Sequence, residues 1–301
     1  MGSNSSQPEP QPPPQVVHRF TPPPSLCFDE PWRRIDWGDK QSALQYVKDY
    51  NPPTEGQQIR ILLHGPVGAG KSSFINSVQS VLQGRMCIKT LVSTSQSCFT
   101  KRYMTYEFEK KSLDSFYPFV INDMMGLKDG SFRNQRVHVK DIKRALKGHI
   151  LDGYRFNPES KLSKEDPYYN PSPGVNDKVH VLVSVIDANT VSQLEDKVVK
   201  AIWAIREEAS ELGIPQVAIF TKIDELCPEI QKDVRNVYKS KILKKAMQRF
   251  SEEVGIPMNC IFAVWNYHED ISLSNDNDAL ILSALTSIMN AGGDFLNTVR
   301  E

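Results

Sequence analysis

Eight consecutive residues, Gly65-Pro66-Val67-Gly68-Ala69-Gly70-Lys71-Ser72, have the types and spacing of a phosphate cradle. The pattern G-x-x-x-x-G-K-S lies between the apolar run Ile59 to His64 and an amphipathic run that starts at Lys71, the strand-to-helix context that its chemistry requires. Gly65 ends the strand, while Gly68 and Gly70 let the backbone curl so that its N–H groups face a β-phosphate. The helix start adds its positive dipole end. Lys71 is suited to bridge β- and γ-phosphate oxygens, and the Ser72 hydroxyl to ligate Mg²⁺. The phosphate set is thus Gly65, Val67, Gly68, Ala69, Gly70, Lys71, Ser72 and Ser73.

A second motif follows in Phe119-Val120-Ile121-Asn122-Asp123-Met124-Met125-Gly126, an apolar strand that ends in D-x-x-G. In this position Asp123 is expected to hold Mg²⁺ through water and the Gly126 N–H to meet a γ-oxygen, a switch that senses the last phosphate. A third is Thr221-Lys222-Ile223-Asp224 after the run Gln216 to Phe220. The Asp224 carboxylate can accept from guanine N1–H and N2–H₂, which adenine does not offer, and the Lys222 stem can cover the base. This tetrad resembles the T/N-K-x-D base motif of guanine-nucleotide-binding P-loop proteins. The loop Ala263-Val264-Trp265-Asn266-Tyr267 completes the expected pocket, with Asn266 or a backbone N–H on the base and Trp265 or Tyr267 either beside the base or packed in the core. A first switch must fall between the helix at 71–83 and a strand near 102–109, where Thr94, Ser95, Ser97 and Thr100 carry hydroxyls; Thr100 is the preferred Mg²⁺ ligand. The metal set is therefore Ser72, Thr100 and Asp123. No residue is assigned as catalytic. Small GTPases carry a water-orienting glutamine after the D-x-x-G glycine, whereas Leu127 stands here, so binding is expected with slow turnover.

The elements that must position these motifs alternate as strand 59–64, helix 71–83, strands near 102–109 and 117–122, helix 134–148, strand 179–187, helix 192–212, strand 216–220, helix 231–250, strand 260–264 and helix 277–290. The strands after residue 175 are continuously apolar, as buried parallel strands are. Ser192 with Glu195 has capping-box spacing, and Gly213 with Pro215 ends that helix. The expected fold is an α/β P-loop NTPase three-layer sandwich, GTPase-like, with a mostly parallel sheet and helices on both faces. Residues 1–30 read as a disordered Pro-rich tail, 31–56 as a helical lead-in with a helix at about 39–50, and 57–301 as the P-loop domain with an insert at about 149–177. On the 231–250 stretch, Lys241, Lys245 and Arg249 form a solvated face opposite Val234, Tyr238, Ile242, Ala246 and Phe250. His64 and His180 are expected to be packed or capped rather than catalytic.

Lysine plus arginine and aspartate plus glutamate each number 36 in 301 residues, so no general electrostatic pull toward nucleic acid exists. Five scattered cysteines, with no C-x-x-C pair, argue against a disulfide framework or a zinc site. No apolar run near 20 residues was expected to cross a bilayer, and a cytosolic protein follows. Met1-Gly2 with Ser6 fits the minimal N-myristoylation pattern at Gly2, but one acyl chain without a polybasic run gives only marginal membrane affinity.

The stretches Arg60 to Ser77, Leu146-Lys147-Gly148-His149, Asp166-Pro167-Tyr168-Tyr169-Asn170, Val179-His180-Val181-Leu182-Val183 and Thr221 to Asp224 resemble the interferon-induced protein 44 family, also called the microtubule-aggregate protein family. The resemblance implies a cytoplasmic, interferon-responsive protein of innate antiviral defence that works with immune-signalling proteins. Larger members carry a folded N-terminal TLDc-type region, in whose place only the Pro-rich tail is expected here. In related families two GTPase domains pair across their nucleotide faces, one way to supply what Leu127 cannot. The competing reading is a nucleotide-independent interaction scaffold; a P-loop kinase or ATPase leaves Thr221 to Asp224 unexplained.

Overall fold

The computed structural model describes residues 25–90, 101–111, 115–127 and 132–299. Gly2, most of the Pro-rich tail and the switch hydroxyls Thr94, Ser95, Ser97 and Thr100 lie outside them. The chain folds as α1 (Lys40–Asp49), β1 (Ile59–His64), α2 (Lys71–Gln83), β2 (Met104–Glu109), β3 (Phe116–Asp123), α3 (Phe132–Leu146), β4 (Val181–Asp187), α4 (Asp196–Glu211), β5 (Gln216–Thr221), α5 (Ile223–Leu226), α6 (Pro228–Lys232), α7 (Lys241–Val254), β6 (Ile261–Ala263) and α8 (Asn275–Thr298).

One sheet runs in the order β2-β3-β1-β4-β5-β6. All pairings are parallel except β2 with β3. Side-chain alternation along β1 divides the core: Ile59, Ile61 and Leu63 join Val47, Phe74, Ile281 and Leu285 under α1, α2 and α8, whereas Leu62 faces Ile142, Ile202 and Phe250 under α3, α4 and α7. Sandwiched between helical layers, β4 is buried along its whole length, which explains its unbroken apolar run. This is the P-loop NTPase arrangement of the GTPase type that the motif order implied.

Four expectations need correction. The stretch 231–250 is three pieces rather than one helix. Asp233 is extended and its Oδ1 accepts from Arg235 N at 2.9 Å, and Ser240 starts α7 afresh by accepting from Leu243 N at 3.2 Å. Val234, Tyr238 and Phe250 are buried as expected, but in α7 Leu243 and Met247 take the buried positions expected of Ile242 and Ala246, which are only partly covered, while Lys241, Lys245 and Arg249 do face solvent. Ser192 and Glu195 form no capping box: Val191–Gln193 is a 3-10 turn, Leu194 is extended, and α4 begins after Glu195 without a side-chain cap. Helix α8 runs on through Gly292-Gly293 to Thr298, because a Cβ on Gly292 would press on the side chains of Ile59 and Val181 and its absence lets the helix lie directly on β1 and β4. By length and composition this 24-residue helix is apolar enough to cross a membrane, longer than any apolar run noted from sequence, yet it packs against the sheet. Finally, residues 25–30, read as the end of the tail, are held by backbone pairing: Lys241 N donates to Leu26 O at 2.9 Å and Phe28 N to Lys239 O at 2.9 Å. Such pairing leaves no trace in composition.

The lead-in continues this strap. Trp32 meets Tyr238 edge-on at 4.9 Å, and Arg33 donates to the carbonyls of Met258 and Ile261. The insert at 149–177 folds onto the start of β2: Tyr103 N donates to Tyr154 O at 2.8 Å, Leu151 N to Tyr168 O at 3.0 Å, and Tyr154, Phe156 and Leu162 are buried.

Candidate nucleotide site

The three motifs meet at the carboxyl ends of β1, β3 and β5, where an open α/β sheet binds ligands. Gly65, Gly68 and Gly70 all take positive φ, so the loop before α2 has the curl a cradle of N–H groups needs. Lys71 is buried, with Nζ donating to Pro66 O at 2.9 Å and Gly65 O at 3.3 Å, carbonyls that hold the ammonium along the loop.

The D-x-x-G segment is clamped onto this loop. Ser72 Oγ donates to Asp123 Oδ2 at 2.7 Å, and Asp123 Oδ1 accepts from Met124 N at 2.9 Å. Beyond it, Leu127 N donates to Gly65 O at 2.9 Å and Val67 N to Leu127 O at 3.0 Å, a short parallel bridge. Gly126 is the contact point: a Cβ there would lie 2.8 Å from both Cα and N of Val67. Ser72 and Asp123 offer hard oxygen donors in one place, a set that fits Mg²⁺ and not softer metals. Leu127 is 2% exposed and belongs to the core under α3. Its side chain is committed to packing.

The third motif is tied to the first. Thr221 is fully buried and its Oγ1 donates to Ala69 O at 2.7 Å, with Ile186 O at 3.2 Å. Lys222 is the non-glycine residue with positive φ among the described residues, at 53°. This costs about 1–2 kcal/mol and is countered by three contacts that sequence reasoning missed: Lys222 Nζ pairs with Asp187 Oδ2 at 2.8 Å, and Asn189 Nδ2 bridges Asp187 Oδ1 at 3.0 Å and Lys222 O at 3.1 Å. The signal for Asp187 was legible, since β4 ends in a carboxylate just as β3 does. Asp224 lies in the first turn of α5, half-buried; its burial pushes the carboxyl above the ordinary range, and Asp270 adds to this while its own and the Glu225 backbone amides and His268 oppose it.

Asn266 closes the ring. Its Nδ2 donates to Gly70 O at 3.3 Å, and its Oδ1 is buried with no partner among the described residues. An orphaned acceptor costs about 1–3 kcal/mol, so a ligand donor is favoured there. Of the two loop aromatics, Tyr267 is core: it is buried, and its hydroxyl donates to Asp278 Oδ1 at 2.6 Å. Trp265 is half-buried against the opposite cluster.

Two buried histidines stand beneath the loops. His138 on α3 donates from Nε2 to Met125 O at 2.9 Å, anchoring the middle of the D-x-x-G tetrad, and burial holds its pKa down to about 4. No sequence signal marked it. His64 shares a 2.7 Å bond with Ser184 Oγ and is pushed down to about 3 by burial, then by Lys71 and His138. His180 accepts Arg60 N at Nδ1 and donates from Nε2 to Val175 O. Both His64 and His180 are packed, as expected.

No family model matches the chain. It is 34% identical over 258 residues to Interferon-induced protein 44-like of Homo sapiens, covering 85% of this chain and 57% of that protein. It is also 34% identical over 256 residues to Interferon-induced protein 44 of Mus musculus, covering 85% of this chain and 60% of that one. The chain thus spans somewhat under two thirds of the length of the relatives it matches. Among solved structures, Toc33 from Arabidopsis thaliana superposes with a TM-score of 0.49 at 14% identity, over 85% of this chain and 93% of that one. Across 85% of its length the chain is therefore similar to the interferon-induced protein 44 family, and it carries that similarity on a mostly parallel α/β sheet with the phosphate loop between β1 and α2.

Proposed function

We propose that this protein binds GTP and GDP together with Mg²⁺, hydrolyses GTP slowly, and acts in the cytoplasm as a nucleotide-dependent component of the innate antiviral response. The observation that carries the nucleotide part is the bond from Thr221 Oγ1 to Ala69 O, 2.7 Å. It joins the loop that bears Asp224 to the phosphate loop, so a base and its phosphates can be held at once. Ser72 and Asp123 would hold the Mg²⁺, which neutralises phosphate charge when bound. Lys71 would bind the β- and γ-phosphates, Asp224 the guanine edge and Asn266 Oδ1 a further donor. The immune part rests on the similarity to interferon-induced proteins. Slow hydrolysis rests on Leu127, which is buried where a water-orienting side chain would be needed.

The nucleotide that copurifies with the protein is identified by chromatography, and GTP, GDP and ATP affinities are measured in Mg²⁺ with and without Lys71→Ala. Guanine-specific binding lost in the variant is expected; equal ATP affinity sinks the guanine reading. GTP turnover is then followed against protein concentration, and a rising specific activity supports pairing of two copies across their nucleotide faces. The buried Leu127 favours one second reading, a scaffold that acts through protein partners without turnover. Unimpaired antiviral activity of a Lys71→Ala, Asp224→Ala protein would support it.

A further inference from the structure

Away from the nucleotide site, a cleft of about 870 Å³ opens between α3 and the insert segment 159–165. Arg136, Lys140 and Arg144 line one wall at four-residue spacing, hence on one face of α3. Lys161 and Lys164 line the other, against the two carboxylates Glu159 and Glu165. Arg136, Lys140, Lys161 and Lys164 are exposed and form no ion pair among the described residues. Elsewhere on the same helix the pattern differs, since Lys143 is matched by Glu208 at 2.8 Å.

The two walls are fastened together. Asp141 on α3 is 1% exposed and accepts from Leu162 N at 2.8 Å and Tyr154 OH at 2.9 Å, with Arg144 at 3.4 Å. A buried carboxylate is thus spent on locking the basic segment of the insert against the basic face of the helix. Like charges converging across a preformed cleft repel unless an anion lies between them. The volume lies within the range of small-ligand sites. The two carboxylates that share the lining and the zero net charge of the chain disfavour a long polyanion such as RNA.

We propose that this cleft binds a small, multiply phosphorylated anion, with Arg136, Lys140, Arg144, Lys161 and Lys164 supplying the cations. The site is separate from the phosphate loop. It lies on the face of α3 away from His138, which holds the switch.

The test uses the full chain saturated with GDP and Mg²⁺, so that the phosphate loop is not the receptor, and repeats the titration in Lys71→Ala without nucleotide. Inositol hexakisphosphate and inorganic tripolyphosphate are titrated calorimetrically. Saturable binding at one site, weakening as salt rises, is expected. Lys140→Glu with Lys161→Glu should lower affinity by at least about a hundredfold, since each charged hydrogen bond removed is worth tenfold or more. Lys241→Glu with Lys245→Glu on the solvated face of α7 should leave it unchanged. All four positions are exposed, and unfolding midpoints check that the variants remain folded. No saturable binding, an equal loss in the α7 variant, or binding confined to phosphoinositide vesicles or RNA overturns the proposal. Because the Lys71→Ala arm needs no nucleotide, failure of the guanine reading leaves this test intact.

Discussion

Replacing Gly126 by alanine probes how the switch is fastened to the phosphate loop. The added Cβ would lie 2.8 Å from both Cα and N of Val67. Backbone atoms of a loop curled on three positive-φ glycines cannot step aside as a side chain would. The D-x-x-G segment must lift instead, and the bonds Leu127 N to Gly65 O and Val67 N to Leu127 O are broken with it. Two net hydrogen bonds amount to about 2 kcal/mol, and partial withdrawal of Leu127 from its 2% exposed position adds about 1–2 kcal/mol. On a domain of this size each kcal/mol lowers Tm by about 2–4 °C, so a fall of at least about 6 °C follows. Urea unfolding and thermal melts without nucleotide read it directly, and GTP affinity should fall in parallel because Asp123 moves with the segment. Gly38→Ala is the control: its Cβ would meet only Asp36 Oδ1 at 3.6 Å, an ordinary contact. If Gly126→Ala melts within a degree of Gly38→Ala, the clamp is not what holds the switch and the reasoning fails.

Thr221→Val removes the hydroxyl that serves Ala69 O and Ile186 O; it should cost about 1–3 kcal/mol and weaken GDP binding, and an unchanged urea midpoint would contradict the tether. His64 and His138 have folded pKa values of about 3 and about 4, below the ordinary 6.5. The unfolded chain takes up their protons first as pH falls, so stability present above pH 6.5 is lost progressively toward pH 4, by up to about 1.4 kcal/mol per pH unit for each histidine. Unfolding curves at pH 7, 6 and 5 measure this, and a flat profile would refute it. Burial raises the Asp224 carboxyl, and guanine recognition needs it ionised; GDP affinity should therefore decline on acidification while the pH is still above the ordinary carboxylate range. Asp224→Asn should erase both this decline and the preference for GTP over ATP, and a pH dependence that persists in the variant points to another group.

The motifs and the strands that carry them were legible because their requirements are local. A phosphate loop needs glycines at fixed offsets between an apolar strand and a helix start, and β1, β3, β5 and α2 appear where Gly65 to Ser72, Asp123 and Thr221 to Asp224 demanded. Helix continuity was less legible. Asp233 and Ser240 are of capping type, but Asp and Ser also occur inside helices, so the apolar periodicity around them masks the breaks that their caps make. Conversely, Gly292 and Gly293 look like a stop, yet α8 continues because Gly292 fits against Ile59 of β1 and Val181 of β4 and Gly293 against the Tyr50 ring.

Residue types and spacing by themselves raised the expectation of partners for phosphate, Mg²⁺ and a guanine edge. Only the tertiary structure decided that Thr221, 152 positions from Ala69, is the tie between base loop and phosphate loop. It also decided that Leu127 is committed to the core, that His138 holds Met125, and that Asp141 draws the insert against α3 to form a basic cleft. These contacts join residues that no short-range pattern relates, because packing and buried hydrogen bonds are set by which surfaces the sheet topology brings together.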